Sequence, residues 1–237
     1  MSPEIQSVQG ALRIAESRAA DILNAPIWDH NDEAHYNALL RSLDHGRPEA
    51  LIGGIYIKKH GLPVGVRYDT NLSDIMLAFL VHDFGKVESA AIDSWNLPRD
   101  QISESEWKGM GLHVKFGYDI LDRYEKWTGR ALPSVTFDVL LYHHEKLDGS
   151  GSFPIYGRDL CFFGRLAVCI DQIVSRCEFR PYHEKKYTLR SAVEEVQAAG
   201  GGLLYDKDIV DRLASIFSHD THLQVDGLGW LGSWQDG

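Results

Sequence analysis

Apolar residues recur along this chain mostly at intervals of three and four, the helical period, and strict apolar–polar alternation is scarce. The pattern predicts helices over residues 4–24, 32–43, 47–60, 72–86, 104–127, 134–145, 157–177, 188–199 and 206–217. The punctuation agrees. Pro26 follows the first helix, Pro48 suits a first helical turn, and Gly61 with Pro63 ends that helix. Ser103 and Glu106 form a capping-box pair, and Gly129 and Pro133 separate two later helices. The expected fold class is an all-α helical bundle without an interdomain linker. Its expected parts are an N-terminal helix over 1–25 packed on or flanking the core, a core domain over 26–218, and a C-terminal tail over 219–237. The tail carries Trp230 and Trp234 and is either docked or an interaction patch.

Composition narrows the class. With 237 residues, 44% hydrophobic and 24% charged, the chain can bury a sizeable core. The longest apolar run, residues 75–81, is too short to cross a bilayer, and the opening MSPEIQS has no signal-peptide character. A cytoplasmic protein with no membrane partner is expected. The net charge of −10 argues against binding a nucleic-acid polymer, which needs Lys and Arg to neutralise phosphates. An anionic substrate would need a local positive centre such as a metal. Cys161, Cys169 and Cys177 lack a zinc spacing and read as core residues in a reducing compartment.

Candidate chemistry lies on four of the predicted helices. The run LSDIMLAFLV leads into His82 and Asp83, then Gly85 and Lys86. His113 shares an apolar face with Met110, Gly117, Ile120, Leu121 and Tyr124. His143 and His144 close the helix over 134–145, and Asp171 lies among Ala167, Ile170 and Val174. A buried carboxylate requires a compensating partner. Each feature alone has a bland reading: a helix end, a core histidine, a structural ion pair. Together they place His-Asp, His, His-His and Asp on four helices, and facing helices of a bundle are a usual place to assemble a metal site. Imidazole and carboxylate without thiolate suit iron, manganese or zinc, and the number of ligands exceeds what one ion with open positions requires.

In this order the motifs resemble the HD-GYP family, the branch of the HD superfamily that hydrolyses cyclic di-GMP. The matching stretches are HDFGK (82–86), ISESEWKGMGLH (102–113) followed by VKFGYDIL, HHEKLDGSGSFP (143–154), and Asp171 followed by Arg180-Pro181-Tyr182. The family's earlier histidine is best matched by His45, ahead of His35 and His60. The resemblance implies an HD-domain bundle and two divalent transition metals, iron first and manganese second. Their ligands would be His45, His82, Asp83, His113, His143, His144 and Asp171, with Asp83 bridging. It implies phosphodiester hydrolysis by a metal-activated hydroxide, with Lys86 and Arg180 meeting phosphate or base. Glu145 and Asp148 would orient ligand histidines, unless Asp148 is only a turn residue.

The departures concern the substrate side. The GYP triplet is replaced by a loop carrying Ser152 and Phe153 before Pro154. Val174 stands where the family has an aspartate, and His183 follows the RPY triplet in place of a basic residue, with Lys185 and Lys186 close by. Expected substrate contacts are therefore Lys86, Arg180, Ser152, Phe153, His183 and Lys186. Arg41 stands four residues before His45, where some members carry a glutamate for a third metal, and this favours two metals. The expected partner is a cyclic dinucleotide, with regulation through a homo-oligomer or a signalling protein. The competing readings are a diiron HD oxygenase of a small organic substrate and a non-catalytic nucleotide-binding signalling protein.

Overall fold

The computed structural model of the chain describes residues 3–28, 32–66, 69–88, 97, 99–151, 159–178, 187–200 and 202–219. Among them are nine α-helices and no β-strand: α1 (Pro3–Leu23), α2 (Glu33–His60), α3 (Leu72–Val81), α4 (Glu104–Met110), α5 (His113–Thr128), α6 (Ser134–Tyr142), α7 (Phe162–Cys177), α8 (Leu189–Gly200) and α9 (Lys207–His219).

The middle of the bundle is α3. From Ile75 to Val81 every residue is buried, as its uninterrupted apolar sequence requires of a helix covered on all sides. Asn71 and Asp74 close a reciprocal capping box at its start. It packs against α1, α2 and α6. Val8, Leu12, Ala15, Ala19 and Ile22 of α1 turn inward, so this helix is part of the core. The amphipathic α7 buries Phe163, Leu166, Ala167, Ile170 and Val174 against α6, α2 and α8. The predicted capping box at Ser103 and Glu106 is present and opens α4.

Two helix boundaries differ from the expected ones in ways that matter for the site. The helices expected over 32–43 and 47–60 are one, α2, with Pro48 in its interior. Proline removes one rung of the hydrogen-bond ladder. Buried packing on both sides of it, from Leu39 and Ser42 through Ala50, Leu51, Ile52 and Tyr56, carries the helix through. The helix expected over 104–127 is broken at Gly111–Leu112 into α4 and α5. Similarly, α3 stops at Val81 before a 3-10 turn over Phe84–Glu88, and α6 stops at Tyr142. Each early stop falls next to a candidate site residue.

Two glycines permit the close approaches behind the site. A Cβ on Gly46 would lie 2.6 Å from the carbonyl oxygen of Phe79, so α2 can lie against the end of α3 only with glycine there. A Cβ on Gly85 would lie 1.8 Å from the carbonyl oxygen of His113 and 2.3 Å from the Gly117 nitrogen. The glycine of HDFGK thus lets the start of α5 close onto the His-Asp turn.

Candidate metal centre

The helix ends that stop early are where the histidines sit. A helix leaves its last carbonyls without intrahelical partners. His82 Nδ1 donates to the Phe79 carbonyl at the end of α3 (2.7 Å), His113 Nδ1 to that of Met110 at the end of α4 (2.6 Å), and His143 Nδ1 to that of Leu140 in the last turn of α6 (2.8 Å). One i to i−3 bond therefore does two things at each site. It satisfies a terminal carbonyl, and it fixes the proton on Nδ1, because a carbonyl can only accept. Where such a ring is neutral, its Nε2 offers a lone pair.

Those lone pairs converge. His113 Nε2 lies 3.1 Å from His143 Nε2 and 3.2 Å from His144 Nε2. His113 and His143 each direct an Nδ1–H to a carbonyl, so their unprotonated Nε2 atoms at that distance repel unless a cation lies between them. A proton is opposed there. Burial pushes the His113 imidazole down to about 3, and it holds His143 well below its ordinary value, with His144, His82 and His113 adding to the effect. His144, also depressed by burial, is less deeply placed, and its Nδ1 lies 3.7 Å from Asp171 Oδ2.

On the other side of Asp83 the surroundings are rich in carboxylates. His45 Nδ1 donates to Glu178 Oε1 at 2.6 Å, which turns His45 Nε2 inward. That nitrogen lies 3.1 Å from Glu49 Oε1, 3.4 Å from Asp171 Oδ1 and 3.7 Å from Asp83 Oδ2. His82 Nε2 lies 3.6 Å from both Glu49 Oε2 and Asp83 Oδ2. Burial works against an imidazolium at His45, but the Glu49 and Glu178 carboxylates overrule it and raise the ring well above its ordinary value.

Asp83 stands between the two groups. Its Oδ1 faces His113 Nε2 at 3.3 Å and His143 Nε2 at 3.7 Å, while its Oδ2 faces His45 and His82. Burial disfavours this carboxylate, yet the Lys86 ammonium and the imidazoles of His82, His113 and His45 hold it well below the usual range. Lys86 Nζ contacts Asp83 Oδ2 directly. Asp171 is depressed as well, against burial, through its hydrogen bond with His45 and the charge of His144.

The seven residues expected as ligands are thus brought together, and so is Lys86. His35 and His60 are elsewhere: His35 pairs with Asp32, and His60 lies against Tyr56. Asp148 is exposed and accepts the Ser150 backbone N–H at 2.9 Å, a turn contact, whereas Glu145 is buried. Arg180, Ser152, Phe153, His183 and Lys186, expected at the substrate, lie outside the described residues, as does the tail beyond His219. Two acids were not anticipated, Glu49 and Glu178. Their sequence signal is positional: Glu49 is four residues after His45 on α2, and Glu178 is seven after Asp171, so each shares a helix face with a residue already singled out.

The donor set fits divalent cations. Three groups of donor atoms each lie within 4.8 Å of one another: His45, Glu49, His82 and Asp171; His82, Asp83 and His143; and His113, His143 and His144. Among the atoms with no hydrogen-bond partner are His82 Nε2, Asp83 Oδ1 and both oxygens of Glu49, all buried. Orphaned polar atoms that face one another call for a ligand that satisfies them together.

The sequence profile of the HD domain family matches residues 50–191, more than half of the chain. That family is metal-dependent, in keeping with the buried His/Asp/Glu cluster. Among curated proteins, the chain is 33% identical over 123 residues to a 3'3'-cGAMP-specific phosphodiesterase 2 of Vibrio cholerae, covering 51% of this chain and 22% of that protein. It is 30% identical over 141 residues to the cyclic di-GMP phosphodiesterase response regulator RpfG of Xanthomonas campestris, covering 59% and 35%. To a cyclic di-GMP phosphodiesterase of Thermotoga maritima it is 27% identical over 147 residues, covering 61% and 38%. The matched segment spans about a fifth to two fifths of the length of these relatives. The solved structure of Bd1817, an HDG"Y"P protein from Bdellovibrio bacteriovorus, superposes with a TM-score of 0.56 over 91% of this chain and 65% of that one, at 15% identity, a likeness of fold. The chain belongs to the HD domain family.

Proposed function

We propose that this protein is a metal-dependent phosphodiesterase that hydrolyses cyclic di-GMP or a related cyclic dinucleotide. The observation that carries the reading is the division of Asp83, with one oxygen toward His113 and His143 and the other toward His45 and His82. A carboxylate shared in this way is what a pair of ions needs. His45, His82 and Asp171 with Asp83 Oδ2 would hold one, and His113, His143 and His144 with Asp83 Oδ1 the other, iron being the first choice and manganese the second. The phosphodiesterase names of the relatives support the substrate class.

Two such ions, when bound, supply Lewis-acid charge to a phosphodiester and acidify a water. The rest is the work of the chain. The Nδ1–H bonds of His82, His113 and His143 to backbone carbonyls keep their Nε2 atoms aimed without a change of rotamer. The depressed Asp83 stays ionised at every pH where the protein would work. Lys86 holds an ammonium at the edge of this group, 15% exposed, where a non-bridging phosphate oxygen can meet it.

The test is metal analysis of protein purified without oxygen, joined to hydrolysis of a cyclic-dinucleotide panel followed by chromatography. Two transition-metal ions per chain and turnover of at least one cyclic dinucleotide are expected, with Asp83→Ala and His143→Ala each losing more than an order of magnitude in rate. A wild type that carries no transition metal, or variants that hydrolyse as fast as wild type, would defeat the reading.

A further inference from the structure

Glu49 is the least expected member of the cluster. It is 1% exposed, and neither carboxylate oxygen has a hydrogen-bond partner. Its Oε1 lies 3.1 Å from His45 Nε2 without forming a hydrogen bond to it. Its Oε2 faces His82 Nε2 at 3.6 Å. An acid buried in that position without a hydrogen bond is costly unless a cation satisfies it.

We infer that Glu49 is itself a metal ligand, completing a pocket of His45, Glu49, His82 and Asp171 that also receives Asp83 Oδ2. The inference rests on the proposed metal pair and adds a protein ligand to one half of it. Glu49 reaches the pocket from the helical turn after His45, whereas Arg41 occupies the turn before it. The two halves then differ in chemistry. The Glu49 side offers two imidazole nitrogens and three carboxylates, and the other side offers three imidazoles and the shared Asp83. Oxygen-rich, anionic shells favour harder ions such as Mn²⁺ and Fe²⁺. The Glu49 half is therefore the harder and more tightly charged of the two.

The experiment uses Mn²⁺ as probe, with bound ions counted by equilibrium dialysis and their environment read by electron paramagnetic resonance, on wild type, Glu49→Gln and His143→Ala. Thermal melts of each protein with and without Mn²⁺ accompany the counts. In Glu49→Gln one ion per chain is expected to bind at least about tenfold more weakly, while the second ion, the one sensitive to His143→Ala, is retained. The Mn²⁺-induced rise in Tm of the Glu49→Gln protein is expected to be smaller than that of wild type. A wild type binding two ions beside a Glu49→Gln protein that binds both with unchanged affinity overturns the role of Glu49 and leaves the metal pair standing. An Mn²⁺-induced rise in Tm that is equal in Glu49→Gln and wild type also overturns it. A wild type that takes up no Mn²⁺ removes the inference together with the reading beneath it.

Discussion

The orientation of His45 depends on one contact that the other rings do not use. His82, His113 and His143 donate Nδ1–H to backbone carbonyls, which no side-chain substitution removes, but His45 donates to the Glu178 side chain. Replacing Glu178 frees the ring to turn and removes the anion that raises its basicity. Glu178→Ala is expected to weaken the ion on the His45 side about 10- to 100-fold, with Glu178→Gln intermediate because an amide oxygen can still accept. Metal titration checks this, and equal affinities in all three proteins would show that Glu178 does not position the ring. The contact also marks where sequence reading ran out. The histidines and Asp171 are legible because a polar group in an apolar run demands an explanation. Glu49 and Glu178 sit beside Pro48 and near a helix end, where acids are ordinary, and only the folded chain shows that they are buried against imidazoles.

At the scale of elements, the site depends on helices that end on time. The periodicity located almost every helix, since burial of one face writes a repeat into the sequence. It ran α3, α6 and the α4–α5 pair past their ends because the apolar pattern continues through His82, His113 and His143 after the backbone has turned. What forces the turns is tertiary, namely the fit of one backbone against another. Gly85 is the sharpest case. Gly85→Ala would set a methyl 1.8 Å from the His113 carbonyl oxygen, a backbone atom that cannot swing aside. The start of α5 must then retreat and take His113 away from Asp83 Oδ1, now 3.3 Å distant. A loss of about 1–3 kcal/mol or more is expected, together with loss of the ion on the His113 side. Gly109→Ala is the control, because a Cβ there meets nothing within 4 Å. Urea denaturation and metal counting on the two variants decide it, and a Gly85→Ala protein with wild-type stability and metal content would sink the argument.

For the whole molecule, the candidate metal centre is a fault in the middle of an otherwise apolar core, since α3 delivers His82 and Asp83 straight out of its buried run. Ions that bind only the folded chain stabilise it by about 2.7 kcal/mol each at a hundredfold excess over Kd, so chelation should lower Tm markedly. The metal-free protein should then show the fault in its pH dependence. His113, His143 and His144 all titrate below 6.5 when folded, each chiefly because burial opposes its charge. From about pH 6.5 downward the unfolded chain binds protons at these rings that the folded chain refuses, so stability falls with pH. Glu49, raised by burial, opposes this, because the folded chain holds its proton as the pH approaches the ordinary carboxylate value. The depressed Asp83 and Asp171 contribute fully down to about pH 4 and lose their effect only below it. His45, raised, keeps its contribution below 6.5 and loses it only as pH rises through its folded value. Between pH 7 and 5 three histidines therefore act against Glu49 and, in the upper part of the interval, against His45. The chelated protein is expected to lose stability steadily across that interval in urea melts, and a flat or rising profile would show that the rings are not held bare in the fold.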